Sequence, residues 1–186
     1  MTDQSKIVMT PEAMKGHLAK LAEAILNAHR SAEDIYLLGI ISRGKPLADR
    51  LAQIIKEKTG IEPHVGSLST TLYRDDIRSG KVTVKLGSDS THFDFDVTEK
   101  SIVFVDDVLY SGRTIRAAMD EVMDYGRPAR IQLACLIDRG QRELPIQADY
   151  LGMSIQTQKS DHIQVLLNEI DGEDSVVLRT ASEKTT

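Results

Sequence analysis

An α/β domain built on a mostly parallel sheet flanked by helices is the fold class this sequence predicts, on three observations. Residues 35–41 (IYLLGII), 101–107 (SIVFVDD) and 131–137 (IQLACLI) contain short apolar runs, and a strand apolar on both faces belongs inside a covered sheet. The first two runs each pass through a tight turn into a helical period, the alternation that winds parallel sheets and leaves ligands at the carboxyl ends of the strands. The chain has 186 residues, room for one such core and too few for two.

Taken in order, Thr10 and Pro11 form an N-cap and first helical residue. Met14, Leu18, Leu21, Ile25 and Leu26 then recur at helical spacing to about Ala28. After the strand at 35–41, residues 42–45 break the run. Pro46 can open a second helix, with Leu47, Leu51, Ile54 and Ile55 on one face and Gly60 as its stop. Residues 65–72 are strand-like. From Tyr73 to about Val97 the chain is polar, with Gly80, Gly87 and only short β-prone pieces, the pattern of a flexible lid loop. Residues 108–114 (VLYSGRT) are a turn, and Ile115, Ala118, Met119, Val122 and Met123 mark a helix ended by Gly126. The buried run IQLACLI follows at once, and the acidic stretch 171–174 with VVL after it predicts a turn and a last strand.

Composition narrows the function classes. The net charge of −5 gives the whole molecule no general attraction for phosphate backbones, and 4% aromatics with no tryptophan supply few platforms for stacking bases. Both lean toward a small-molecule enzyme. No apolar run reaches the roughly 18 residues of a membrane span, and the start MTDQSKIVMT lacks the pattern of a signal peptide, so the cytoplasm is the expected location. The single cysteine, Cys135, lies in an apolar run and predicts an inert core residue.

The chemistry concentrates in residues 102–114, IVFVDDVLYSGRT. Two carboxylates end a buried strand, a turn of hydroxyls and glycine follows, and a helix N-terminus comes next. Backbone N–H groups there, with Ser111, Thr114 and the bare backbone of Gly112, suit a phosphate dianion. Asp106 and Asp107 are acceptors that suit the vicinal hydroxyls of a ribose and can hold magnesium through water. Phosphate, ribose and metal on one turn describe a phosphorylated sugar. The competing reading makes the two aspartates caps of the turn; the preceding strand and the hydroxyl-glycine turn weigh against it. A second loop, GIISRGKP at 39–46, nearly matches a nucleotide triphosphate-binding loop, but Pro46 stands where the metal-binding hydroxyl is needed and removes an N–H from the nest.

The thirteen residues resemble the phosphoribosyl pyrophosphate signature of type I phosphoribosyltransferases. With GIISRGKPLADRLA, TTLYRDD, VDDVLYSGRT, YGRPARIQLACLIDRGQRELPIQADYLG and QKSDHI in this order, nearly the whole chain is similar to the bifunctional pyrimidine operon regulator/uracil phosphoribosyltransferase family. The resemblance implies one type I phosphoribosyltransferase-like domain over 1–186, with a small hood at about 138–165 and a lid at about 72–97. It implies that uracil and phosphoribosyl pyrophosphate give UMP and pyrophosphate, with magnesium.

Carried over residue by residue, Val105, Asp106, Asp107, Val108, Leu109, Tyr110, Ser111, Gly112, Arg113 and Thr114 bind phosphoribosyl pyrophosphate, with the two aspartates on the ribose and on water-bridged magnesium. Ser42, Arg43 and Gly44 match the pyrophosphate loop, and Arg43, Asp106 and Asp107 are the candidate catalytic residues. An arginine fits that place because its forked donors match pyrophosphate oxygens. Tyr73 and Arg74 match the lid entry. On the base side the candidates are Asp138, Arg139, Tyr150, whose ring is expected to stack on the base, and the main chain near Ile163. Asp138 replaces a purine-reading lysine and Tyr110 an acidic residue, both favouring a pyrimidine. No histidine is assigned as general base.

Family members are oligomeric, and they can bind a messenger leader in response to uridine nucleotides. The alternatives to a uracil-specific enzyme are an RNA-binding attenuator with little or no catalysis and a phosphoribosyltransferase for another base. Lys15, His17, Lys20, Arg127, Arg130, Arg142 and Lys159 are the candidate basic residues, interleaved with Glu12, Glu23, Glu143 and Asp161. Ala19, Glu23, Ala28 and Met153 depart from the polar or basic pattern of RNA-binding members. The expectation is mainly a salvage enzyme that binds an mRNA leader weakly or not at all.

Overall fold

The computed structural model describes residues 4–70 and 90–180. A five-stranded sheet runs in the order β3 (His64–Leu68), β2 (Tyr36–Ile40), β4 (Ser101–Leu109), β5 (Arg130–Asp138) and β6 (Tyr150–Ser154). Every neighbouring pair is parallel. Helices α1 (Pro11–Ala28) and α2 (Gly44–Thr59) cover one face and α3 (Arg113–Met123) the other. The alternation of β4 divides its side chains between these layers: Val103 and Val105 join the core under α1 and α2, Ile102 and Phe104 the core under α3. Burial of each such side chain contributes about 1.5–3 kcal/mol.

The local signals account for the helices. Thr10 Oγ1 accepts the Ala13 N–H, Pro11 is the first helical residue, and Met14, Leu18, Leu21, Ala22 and Ile25 are buried. Helix α2 begins at Gly44, two residues before Pro46, which sits in the first turn, where its missing N–H costs nothing. A Cβ at Gly44 would overlap the Val105 carbonyl oxygen, so the glycine lets α2 start hard against β4. Helix α3 stops at Met123, capped by Asp124, short of the expected Gly126.

The small domain differs from expectation. A hood over 138–165 would include β6, but β6 pairs with β5 and belongs to the main sheet. The second sheet is antiparallel, in the order β1 (Gln4–Met9), β8 (Ser175–Thr180), β7 (His162–Leu166), with the short helix α4 (Asn168–Asp171) between β7 and β8. Strand β1 leaves its apolar Ile7 exposed, so its sequence carries no clear buried face; its partner lies at the other end of the chain.

The lid expectation at 72–97 is too long at its end. Residues 90–97 are packed: His92 bridges Ser67 on β3, Val97 is fully buried, and Phe93 and Phe95 join an aromatic chain with Tyr125, Tyr36 and His64. The lid candidates Tyr73 and Arg74 lie outside the described residues. No helix among the described residues is long and apolar enough to cross a membrane.

Candidate active site

The carboxyl ends of β2 and β4 and the strand β7 of the small sheet enclose a cleft of about 720 Å³. Its walls are Arg43 from the loop after β2, Asp107, Val108 and Tyr110 from the end of β4, Arg139 after β5, residues 162–165 of β7 and Arg179 of β8. A parallel sheet delivers its loops to one edge, which is why residues so distant in sequence meet there.

The two adjacent aspartates are not equivalent. Asp107 lines the cleft, and burial pushes its carboxyl above the usual range, opposed by the Val108 N–H, the charge of Arg43 and a hydrogen bond with Asp106. Asp106 is 8% exposed, sits opposite Cys135 on β5, and its Oδ1 accepts the Asp107 N–H at 3.0 Å. Strand β4 continues through both to Leu109, so the turn starts two residues later than the sequence suggested.

Beyond β4, Ser111 is buried and its Oγ accepts the Arg113 N–H at 3.3 Å. Gly112 caps α3 with φ 91°, a left-handed conformation that an L side chain resists, and it brings no side chain to cover the first-turn amides. Backbone donors at this helix start can therefore receive an anion, with Thr114 half-buried beside them. Arg113 is exposed and pairs with Glu143 at 2.8 Å.

Arg43 caps α2 and reaches across the cleft to the small sheet. Its Nε donates to the Val165 carbonyl at 2.6 Å and its Nη2 to both carboxylate oxygens of Asp171, at 3.0 and 3.2 Å. Ser42, joined to Ile41 by a cis peptide bond, is exposed, and Gly44 is buried.

Among Asp138, Arg139, Tyr150 and Ile163 the structure divides the candidates. Ile163 of β7 lines the cleft. Arg139 lines it too, but its guanidinium is largely committed: Nε donates to Thr157 Oγ1, Nη2 to the carbonyls of Gln158 and Asp161, and its Cζ lies over the Tyr110 ring, 4.3 Å from the centroid. Asp138 accepts the Gly140 N–H and pairs with Arg142, which also donates to the Tyr110 carbonyl; its carboxylate braces the turn.

Tyr150 corrects an expectation. Its ring is 7% exposed in the core under α1 and α2, and its hydroxyl accepts a hydrogen bond from buried Gln132 at 2.8 Å. It begins β6, at the mid-height of β5, so it does not stack on a ligand at the strand ends. Gln164 and Arg179 line the cleft and were not singled out by sequence; His162, which the sequence offers only as a loop histidine without a partner, lines it too. The alternation of HIQVL, with Ile163 and Val165 buried, was the available signal for His162 and Gln164.

Residues 6–170 match the phosphoribosyl transferase domain family. Proteins named bifunctional protein PyrR are similar over most of the chain: 46% identical from Thermus thermophilus (96% of this chain, 97% of that one) and 43% identical from Clostridioides difficile (92% and 96%). The chain belongs to the bifunctional PyrR family.

Solved structures agree with a PyrR fold of the type I phosphoribosyltransferase kind. A Bacillus anthracis hypoxanthine-guanine phosphoribosyltransferase superposes with a TM-score of 0.70 at 20% identity, covering 95% of this chain and 98% of that one. A Leishmania tarentolae enzyme in complex with GMP does so with 0.66 at 18%, covering 96% and 98%. At that identity the likeness speaks for the fold alone.

Proposed function

We propose that this chain transfers the phosphoribosyl group of phosphoribosyl pyrophosphate to uracil. The bond between the anomeric carbon and the pyrophosphate oxygen breaks, its electrons leave with pyrophosphate, a bond to uracil N1 forms, and the N1 proton passes to the departing pyrophosphate or to solvent water. The observation that carries the reading is the meeting of Arg43, Asp107 and the glycine-capped start of α3 at one edge of the parallel sheet.

Each group has a distinct task. The amides after Gly112, with Ser111 and Thr114, hold the 5-phosphate at the helix N-terminus. Asp107 accepts from the ribose hydroxyls, and Asp106 orients it from behind through the Asp107 N–H. Arg43 offers its remaining donors to pyrophosphate. The Arg139 and Tyr110 stack forms a rigid wall, and the edge of β7 at Ile163 reads the base through its main chain.

The donor set fits magnesium. Among the described residues no cluster of three or more His, Cys, Asp or Glu is arranged to hold an ion, and magnesium needs none, because it binds through one or two carboxylates plus substrate phosphates. Asp107, with Asp106 behind it, supplies those hard oxygens, and a bound ion would neutralise charge on the leaving pyrophosphate.

A product assay with uracil, orotate, adenine, hypoxanthine and guanine tests the proposal. UMP from uracil is the expected outcome, and a preference for a purine would overturn it. The relatives are named bifunctional, which favours a second activity; the family resemblance of the sequence makes the binding of a pyrimidine-operon leader RNA in response to UMP the candidate.

A further inference from the structure

The acidic stretch 171–174 has no place in the reaction as described so far, yet the structure gathers its side chains around α2. Arg43 and Arg50 are seven positions apart, on one face of that helix. The turn through α4 meets them with three carboxylates. Arg50 makes paired bonds to Glu169 (2.8 and 2.5 Å) and to Asp174 (3.0 and 2.7 Å). Arg43 receives Asp171. Asp171 is itself held: its Oδ2 accepts the Leu167 N–H at 2.9 Å, and its own N–H donates to the Leu167 carbonyl at 2.6 Å.

The two arginines differ in what they face. Arg50 lies away from the cleft and spends its donors on the turn, so its clasp fixes the small sheet onto α2. Arg43 lines the cleft, and Asp171 with the Val165 carbonyl engages only Nε and Nη2 of its guanidinium. A long flexible side chain that must present a planar fork loses rotamer freedom when it binds. With Nη2 held by the Asp171 carboxylate and Nε by the Val165 carbonyl, most of that loss is already taken and Nη1 is left to offer to the ligand.

We propose that Asp171 is a positioning residue for pyrophosphate: held in its own place by its two bonds to Leu167, it presets the Arg43 guanidinium. The proposal rests on the reading of Arg43 as the pyrophosphate contact. It places a determinant of the leaving-group side on the turn between β7 and β8, so the small sheet serves both the base and the pyrophosphate.

The test is steady-state kinetics with pyrophosphate as inhibitor for Asp171→Asn, Arg43→Lys, the double variant and Arg50→Gln. Asparagine keeps the acceptor for the Leu167 N–H and loses the ion pair. Asp171→Asn is expected to weaken pyrophosphate inhibition and raise KM for phosphoribosyl pyrophosphate by about tenfold, the size of one charge-assisted hydrogen bond, with KM for uracil unchanged. In the Arg43→Lys background the same change should have less than about a twofold effect, because coupled residues are not additive. Arg50→Gln should lower Tm and leave pyrophosphate inhibition as it was.

Wild-type inhibition in Asp171→Asn, with inhibition lost in Arg43→Lys, would overturn the proposal and leave the reading of Arg43 standing. Unchanged inhibition in Arg43→Lys would remove that reading itself. A full tenfold effect of Asp171→Asn in the Arg43→Lys background would show that Asp171 acts by another route. Should Asp171→Asn fold poorly, Asp171→Glu keeps the charge and displaces it, and calorimetric pyrophosphate binding by that folded variant must weaken for the proposal to hold.

Discussion

Asp107 and Asp106 are neighbours in sequence, but only Asp107 lines the cleft, and this difference sets unequal costs for removing their charge. Asp107→Asn is expected to lose about 2.7–4 kcal/mol of transition-state stabilisation, as removal of an oxyanion-hole donor does, or 10²–10³ in kcat. Asp106→Asn keeps an oxygen for the Asp107 N–H and should lose less; initial rates of both variants at saturating substrate check the order. Tyr150 predicts the opposite kind of result. Tyr150→Phe leaves buried Gln132 short of a partner, which costs about 1–3 kcal/mol of stability. Denaturant unfolding should show that loss while kcat and KM for uracil stay as in the wild type, and a raised uracil KM would return the ring to the site.

At the scale of elements, the clasp between α2 and the turn through α4 is sensitive to acid. Hydrogen bonding from Arg50 holds the Glu169 carboxyl below the usual range, and although burial pushes Asp174 up, its bonds from Arg50 and the Asn168 N–H bring it below as well. A carboxylate depressed on folding contributes stability above its unfolded pKa and loses it as pH falls through the folded value. The partners are partly exposed and screened, so about 1 kcal/mol, or 2–4 °C in Tm, is the expected gap between wild type and Arg50→Gln at neutral pH. That gap should shrink as pH falls from about 4, the ordinary carboxylate range, downward. Melting curves at pH 7 and pH 3 decide; an equal gap at both would mean that Arg50 acts through packing alone.

For the whole molecule, the question is how a chain of net charge −5 meets an RNA leader. Several of its basic groups are already paired: Lys58 with Glu23, Arg113 with Glu143, Arg142 with Asp138. On α1, Lys15 and Lys20 are exposed among the equally exposed Glu12 and Glu23. Binding to a leader hairpin is therefore expected to be weak at physiological salt and to have a shallow salt slope, because few phosphates would be neutralised. Titration of hairpin and scrambled control at two salt concentrations, with and without UMP, measures this; tight, UMP-stimulated binding that falls steeply with salt would refute it.

What the sequence determined by itself was local. The apolar runs at 35–41, 101–107 and 131–137, the Thr10 and Pro11 cap, the Gly60 stop and the turn at Gly112 depend on side-chain period, backbone φ and capping, all set within a few residues. They were enough for the parallel sheet and the glycine-capped turn before α3. What only the tertiary structure decided was pairing across long separations. Strand β1 acquires its place from β8, Tyr150 its burial from the packing of α1 and α2 on the sheet, and Arg43 its hydrogen-bond partner in Asp171, 128 positions away. No local period distinguishes an acidic turn in solvent from one that grips a helix, because the difference lies in which cations the folded sheet brings within about 3 Å of it.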